Sequence, residues 1–424
     1  MNGVLNEYRS VTLTEDSRPD PTLRAAPYQR RYAMSAPINR VEMLENRTLF
    51  SALSPNCAEA PNQLRVMTQN LYMGADLTPV LAASSLADVP AAVSQVWANV
   101  EATDFRQRAR AIADEIKRTK PDVLSLQEAA LWRIQEQGDE FSANPTPATD
   151  VAYDFIQILR RALRARGLHY APAVINENFD AELPDAQGRD IRLTDRNAIL
   201  VRQDAPRRLI VLGTAKGHFS TNLELPIAGE GPTFVDLCGW ESIDAWIGGR
   251  VVRVVDTHLE ANWPPIRDAQ AAELLEGPVA TSLPVILTGD FNSDAYDGAY
   301  GGIDDAGAYQ LLSSVLDDAW AQAHPDQVGF TWGQAPDLSN PVSTANERID
   351  FLFTRGGPIT LNATIVGDDP ADRTPGGLWP SDHAGVVGSF ALPRCAPLVG
   401  LFARGPATIR DIRVPTETLH DLLT

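Results

Sequence analysis

The sequence is short of cysteine, short of basic charge and free of long apolar runs. Its three cysteines, Cys57, Cys238 and Cys395, include no C-x-x-C pair. That spacing excludes the common structural zinc modules, and the count fits either one disulfide plus a thiol or three thiols. No stretch approaches the ~18 consecutive apolar residues of a membrane span. With 36 Lys and Arg against 55 Asp and Glu, the formal net charge is −19. This argues against a nonspecific grip on nucleic acid, where Lys and Arg supply most of the affinity by neutralising phosphates. Nucleic-acid chemistry itself is not excluded, because a bound metal supplies positive charge locally. The acidic surplus otherwise serves solubility.

What is present is a globular composition, 44% hydrophobic over 424 residues. Residues 1–60 are polar and lack a helical or strand period, so they read as a leader outside the fold. From 61 to 395 the pattern is regular, and 396–424 form a tail. Strands are expected at 64–71, 122–129, 170–175, 190–202, 208–213, 347–354, 359–366 and 384–392. Gly248-Gly249 reads as the turn of a hairpin, and the run ending in "PVILTGDFNS" as a buried strand. Helices are expected at 104–119, 151–167 and 265–277; Pro121 stops the first and Gly167 caps the second. Strands interleaved with a few helices indicate an α/β fold of two packed sheets with helices outside.

Polar residues close these strands. Asn70, Glu128, His258, Asp290 and Asn292 stand at strand exits. Asp350 lies within "ERIDFLF", and Asp382-His383 precede the last strand. Each alone has a plain structural explanation as a turn former, cap or core histidine. Together they match one chemistry. Carboxylates and an amide without cysteine make a hard oxygen site suited to Mg²⁺ or Mn²⁺. Two histidines beside such a site are what phosphoester hydrolysis requires.

In this order "TQN", "LQE", "DTHLEAN", "GDFNS", "RIDFLF" and "SDHAGV" resemble the motif series of the endonuclease/exonuclease/phosphatase superfamily, across residues 62–393. "NLYMGADL" and "DRNAIL" resemble signatures of its exported bacterial members. The resemblance implies a four-layer α/β sandwich like that of deoxyribonuclease I, two mixed β-sheets flanked by helices. It implies catalytic roles for His258, Asp290, Asn292, Asp350 and His383, with the base falling to Asp290 or His383. It places Asn70, Glu128 and Asp382 at the metal, which would be Mg²⁺ or Mn²⁺. Asn197 and Arg196 become candidates for substrate binding.

The implied activity is metal-dependent hydrolysis of a phosphodiester, nuclease-like, by activated water. The substrate would be nucleic acid or a phospholipid headgroup. Alternatives are a sphingomyelinase-like lipid phosphodiesterase, a phosphatase, or an exported binding protein that keeps the fold without catalysis. A nuclease would use Arg192, Arg196, Arg202 and Arg267 around its rim. A lipid enzyme would use exposed aromatics such as Trp240, Trp246 and Trp263. No protein partner can be inferred. "VEMLENRTLFSA" (41–52) resembles the LEPR-type export motif of planctomycete proteins, departing from it at Asn46. It implies a secreted or cell-surface protein, the alternative being cytoplasmic. The superfamily's sandwich also makes the first and last strands neighbours. Antiparallel pairing would then bring Cys57 and Cys395 to one end of that ladder as a disulfide pair.

Overall fold

The computed structural model describes residues 63–392, apart from 206–208, 230–232 and 303–304. The export-like motif, Cys57, Cys395 and the tail lie outside the described residues.

Eight strands make the first sheet. They are β1 (Gln63–Asn70), β2 (Val123–Gln127), β3 (Leu131–Gln135), β4 (Asp150–Asp154), β5 (Tyr170–Pro184), β6 (Asp190–Arg202), β15 (Ile359–Val366) and β16 (Gly385–Ala391). Their order is β15-β16-β1-β2-β6-β3-β4, with β5 also paired to β6. The second sheet contains β7 (Ile210–His218), β10 (Gly239–Ile247), β11 (Arg250–His258), β12 (Val285–Asp290), β13 (Asp317–Asp318) and β14 (Asp350–Arg355). Its order is β13-β14-β12-β11-β10-β7. A separate hairpin, β8 (Leu223–Pro226) with β9 (Thr233–Asp236), fills the connection between β7 and β10. As expected, β1 and β16 are antiparallel neighbours, with Gln63 opposite Ala391.

Alternation along the strands builds the layers. On β1, β2 and β6, Leu64, Val66, Val123, Ile199 and Val201 face the second sheet. Ile243, Val252, Val254, Ile286 and Leu352 meet them from β10, β11, β12 and β14. The opposite face of the first sheet, with Met67, Leu124, Leu126 and Leu200, is covered by three helices. These are α2 (Val89–Ala102), which follows the single turn α1 (Thr78–Leu81), then α3 (Phe105–Thr119) and α4 (Phe155–Arg164). The outer face of the second sheet, with Val255, Val285, Leu287 and Phe353, is covered by α5 (Pro264–Glu276) and α6 (Gly307–Ser313). The short α7 (Ala319–Ala323) packs beside β14 and β15. Each of these fully buried aliphatic or aromatic side chains contributes about 1.5–3 kcal/mol of transfer free energy. The result is the expected order of helices, sheet, sheet, helices.

Several elements differ from expectation, and two of them shape the helical layer over the first sheet. The helix expected from residue 151 begins at Phe155, because Asp150–Asp154 pair with β3 as a strand. Asp154 then caps the helix by accepting from the Gln157 backbone N–H. The helix Val89–Ala102, which sequence reading does not assign, buries Val89, Val93, Val96, Trp97 and Val100. Among the described residues no helix is long and apolar enough to cross a membrane.

Candidate active site

The alternation that fills the sandwich interior continues past the apolar layer. Along the inward face of β1, Leu64 and Val66 are followed by Thr68 and Asn70. On β11, Val252 and Val254 are followed by Asp256 and His258; on β12, Ile286 is followed by Thr288 and Asp290. Strand register then aligns these residues across the second sheet. His258 is paired with Asp290, and Asp290 with Asp350. In the first sheet Asn70 is paired with Gln127, immediately before Glu128. The candidate residues therefore form one row at the rim where both sheets end.

Backbone geometry at the rim is unusual. Glu128 and Asn292 have φ near +50°, and Tyr72 has φ 53°. Positive φ is uncommon for non-glycine residues and concentrates where surrounding structure enforces it at functional sites. At Gly289, φ is +150°, and a Cβ would stand 2.2 Å from the Thr257 carbonyl oxygen. Only glycine lets β12 approach β11 closely enough to set Asp290 beside His258.

Asp290 is the hub. Its Oδ2 accepts from Asn70 Nδ2 at 2.9 Å and lies 3.5 Å from Nε2 of both His258 and His383. Its Oδ1 accepts from the Asn292 backbone N–H at 3.0 Å. Asn292 Nδ2 lies 3.0 Å from His258 Nε2 and donates to the Leu259 carbonyl. His383 Nδ1 lies 2.9 Å from Asp350 Oδ2. Burial opposes charge on both histidines, but the surrounding carboxylates outweigh it. Asp350, Asp290 and Asp382 raise His383 well above its ordinary value, and Asp290 and Glu128 lead in raising His258. Burial lifts Asp350 and Asp382 to about 6, with Asp290 adding to both.

Glu128, Asp382 and Asn70 form the other side. Glu128 Oε1 accepts from Asn70 Nδ2 at 2.8 Å and Oε2 from the Met73 backbone N–H at 2.7 Å. The Asn70 amide oxygen is turned to the Tyr72 N–H at 2.8 Å. Asn70 thus holds Glu128 and Asp290 together through its NH₂ instead of offering its oxygen outward. Beneath it the fully buried Arg108 donates to the carbonyls of Leu71, Tyr72, Thr103 and Pro380. Sequence reading passed over Arg108, although a lone arginine on an apolar helix face was a usable signal. With its donors spent on carbonyls, it forms no ion pair with Glu128 or Asp382. The raised Asp382 carboxyl, crowded by Glu128, is what a hard divalent cation would relieve, and the all-oxygen donors fit Mg²⁺ or Mn²⁺.

Two substrate-binding expectations need correction or refinement. Arg196 points inward, donating to the Ala129 and Ala130 carbonyls and pairing with Asp154 at 2.9 Å. It braces the segment after Glu128 and is not free for substrate. Asn197 is fully buried on β6, its Oδ1 accepting from Asn178 and its Nδ2 without a hydrogen-bond partner. The other rim arginines are also committed: Arg192 to Asp180, Arg202 to Asp204, and the buried Arg267 to Asp305. Of the three tryptophans, Trp263 is exposed, while Trp240 and Trp246 are partly buried.

Comparison with known families settles the lineage. The endonuclease/exonuclease/phosphatase family matches residues 67–383, a span that takes in every residue of this row. The chain belongs to that family. Members of this superfamily are phosphoester hydrolases and typically use a divalent metal. A comparison with curated proteins found no match. Among solved structures, an endonuclease/exonuclease/phosphatase family protein from Bacteroides thetaiotaomicron is similar at 17% identity and TM-score 0.49. The match covers 79% of this chain and 100% of that one. A mannosyl-6-phosphatase from the same organism is similar at 16% identity and TM-score 0.48, covering 77% and 99%. D. rerio TDP2 complexed with a single-strand DNA product follows at 18% identity and TM-score 0.45, covering 77% and 98%.

Proposed function

We propose that this endonuclease/exonuclease/phosphatase family protein is a metal-dependent phosphodiesterase. The observation that carries the reading is the position of Asp290, shared between two imidazoles and the Asn70 amide in one strand-registered row. A carboxylate in that position aligns a water by accepting its proton, and the two histidines stand beside the phosphoryl group it attacks. His383, charged through Asp350, stabilises the negative charge that develops on the phosphoryl oxygens. His258 and Asn292, in contact with each other, present a second pair of donors from β11 and the β12 exit. A divalent cation at Glu128 and Asp382 would polarise a phosphoryl oxygen. Asn70 holds Glu128 and Asp290 through one amide, so a cation bound by Glu128 would be positioned relative to Asp290.

The charge distribution argues for a small phosphodiester over a long polyanion. The arginines that would follow a nucleic-acid backbone are each paired or buried, and the overall charge is −19. Hydrolysis of bis-p-nitrophenyl phosphate, plasmid DNA, RNA, sphingomyelin and a phosphomonoester, with and without Mg²⁺, tests the proposal. The small diester should be cut in the presence of metal. No turnover of any member of that panel would overturn the reading and favour a binding protein on the same fold.

A further inference from the structure

A second cluster of ligating groups stands beside His258, outside the row described above. Asp236 closes β9, Cys238 precedes β10, and Glu260 follows the end of β11. One ligand atom from each lies within 4.8 Å of the others. Cys238 is a free, buried thiol. Glu260 is fully buried; its Oε1 accepts from the Asn262 N–H, but its Oε2 has no hydrogen-bond partner. The Asp236 and Glu260 carboxyls lie within 4.8 Å of each other, and Glu260 adds to the raising of Asp236 by burial. Among the described residues no Lys or Arg forms an ion pair with any of the three.

Two neighbouring carboxyls, one of them fully buried, are stabilised by a proton or a cation between them. A shared proton would satisfy the acids but gives no role to the sulfur beside them. We propose that Asp236, Cys238 and Glu260 hold a borderline divalent ion of the zinc class, at a site separate from the catalytic cation. The donor set distinguishes the two sites. Glu128 and Asp382 offer oxygen only, whereas a thiolate with two carboxylates suits zinc over magnesium. The ligand atoms, all within 4.8 Å of one another, would draw in slightly on binding. Tetrahedral zinc with bonds of about 2.0–2.3 Å sets its ligand atoms roughly 3.3–3.7 Å apart. Supporting groups are in place around it. The Gln270 side chain contacts the Cys238 thiol, donates to the Thr221 carbonyl and accepts from the Glu260 N–H. Burial, with the neighbouring carboxylates adding to it, lifts Asp236 to about 7 and Cys238 well above its usual value. Bound there, the ion would clamp the base of the β8–β9 hairpin to the end of β11, two residues from His258.

Cobalt substitution in the full-length protein tests the proposal without relying on activity. Stoichiometric Co²⁺ should give thiolate-to-cobalt charge-transfer absorption in the near ultraviolet. The band should persist in Glu128→Gln, whose loss affects only the oxygen site, and vanish in Cys238→Ser. Asp236→Asn should weaken Co²⁺ binding roughly tenfold or more. It carries the test if the buried serine variant does not fold. Absence of the band in the wild type, its survival in Cys238→Ser, or unchanged affinity in Asp236→Asn would each overturn the site. A shared carboxyl proton would then remain as the explanation.

Discussion

His383 and Asp350 meet at 2.9 Å through Nδ1 and Oδ2, which leaves the His383 Nε2 facing Asp290 at 3.5 Å. Asp350 reaches this position by strand register, opposite Asp290 in the β12–β14 ladder. His383 reaches it from the other sheet, two residues before β16. The pair therefore joins the two sheets at the open rim. It fixes which imidazole nitrogen faces Asp290 and favours the charged ring.

His383→Ala is accordingly expected to lower turnover of the best diester by at least ~10²-fold, the usual cost of losing an acid–base or charge-stabilising group. Asp350→Asn should retain the fold but shift the alkaline limb of the rate profile to lower pH, because His383 loses its leading charge partner. A His383→Ala protein with native circular dichroism and wild-type kcat would remove this residue from the mechanism.

Chelation should abolish activity, and Mg²⁺ or Mn²⁺ should restore it. Glu128→Gln removes one anionic ligand while keeping the acceptor for Met73, so it should raise the metal concentration needed for half-maximal rate. Titrations of rate against metal for both proteins check this. Equal half-saturation in the two would place the cation elsewhere.

Below the site, Glu241 and Asp256 face each other between the sheets, both fully buried. Burial raises both carboxyls, Asp256 to about 7 and Glu241 well above its ordinary value, with Glu241 holding the proton between them. Raised carboxyls mean that the folded state binds more protons than the unfolded chain. Stability from this pair is thus full below the unfolded values and falls as pH rises through 7. Glu241→Gln keeps the shape without the titration. It should flatten the decline between pH 5 and 8, a difference on the order of 1–3 kcal/mol. Denaturant midpoints across that range decide it, and parallel curves for the two proteins would count against a shared proton.

Arg108→Met should destabilise the protein by roughly 3–5 kcal/mol, since buried carbonyls at Leu71, Tyr72, Thr103 and Pro380 lose their donor together. Because Pro380 leads into Asp382, activity per folded molecule should fall as well. A melting temperature within experimental error of wild type would show that the carbonyls find other partners.

A chain beginning at Pro61 is expected to fold and remain active. The family match starts at residue 67, and β1, from Gln63, already has both its neighbours β2 and β16. Loss of soluble expression on that truncation would make residues 1–60 part of the fold.

Sequence alone determined the strands that carry the candidate site, because each couples an apolar or β-branched run to a polar exit, and the exits together match one chemistry. "VILTGDFN" and "RVVRVVDTH" are the clearest cases. The proposed hard cation is likewise read from sequence, through carboxylates and an amide unaccompanied by a C-x-x-C pair. Its helical signal failed at Val89–Ala102, where four valines at helical spacing carry a strong strand propensity that only packing against the first sheet overrides. Three things were left to the tertiary structure. Long-range pairing decided that Arg196 braces Ala129, Ala130 and Asp154 instead of facing substrate. It decided that the Asn70 amide would point its NH₂ at two carboxylates. It also brought Glu260, beyond the end of β11, to Asp236 and Cys238, which stand two residues apart between β9 and β10. Side-chain direction and proximity across sheets depend on register and burial between segments far apart in the chain, and no local pattern encodes them.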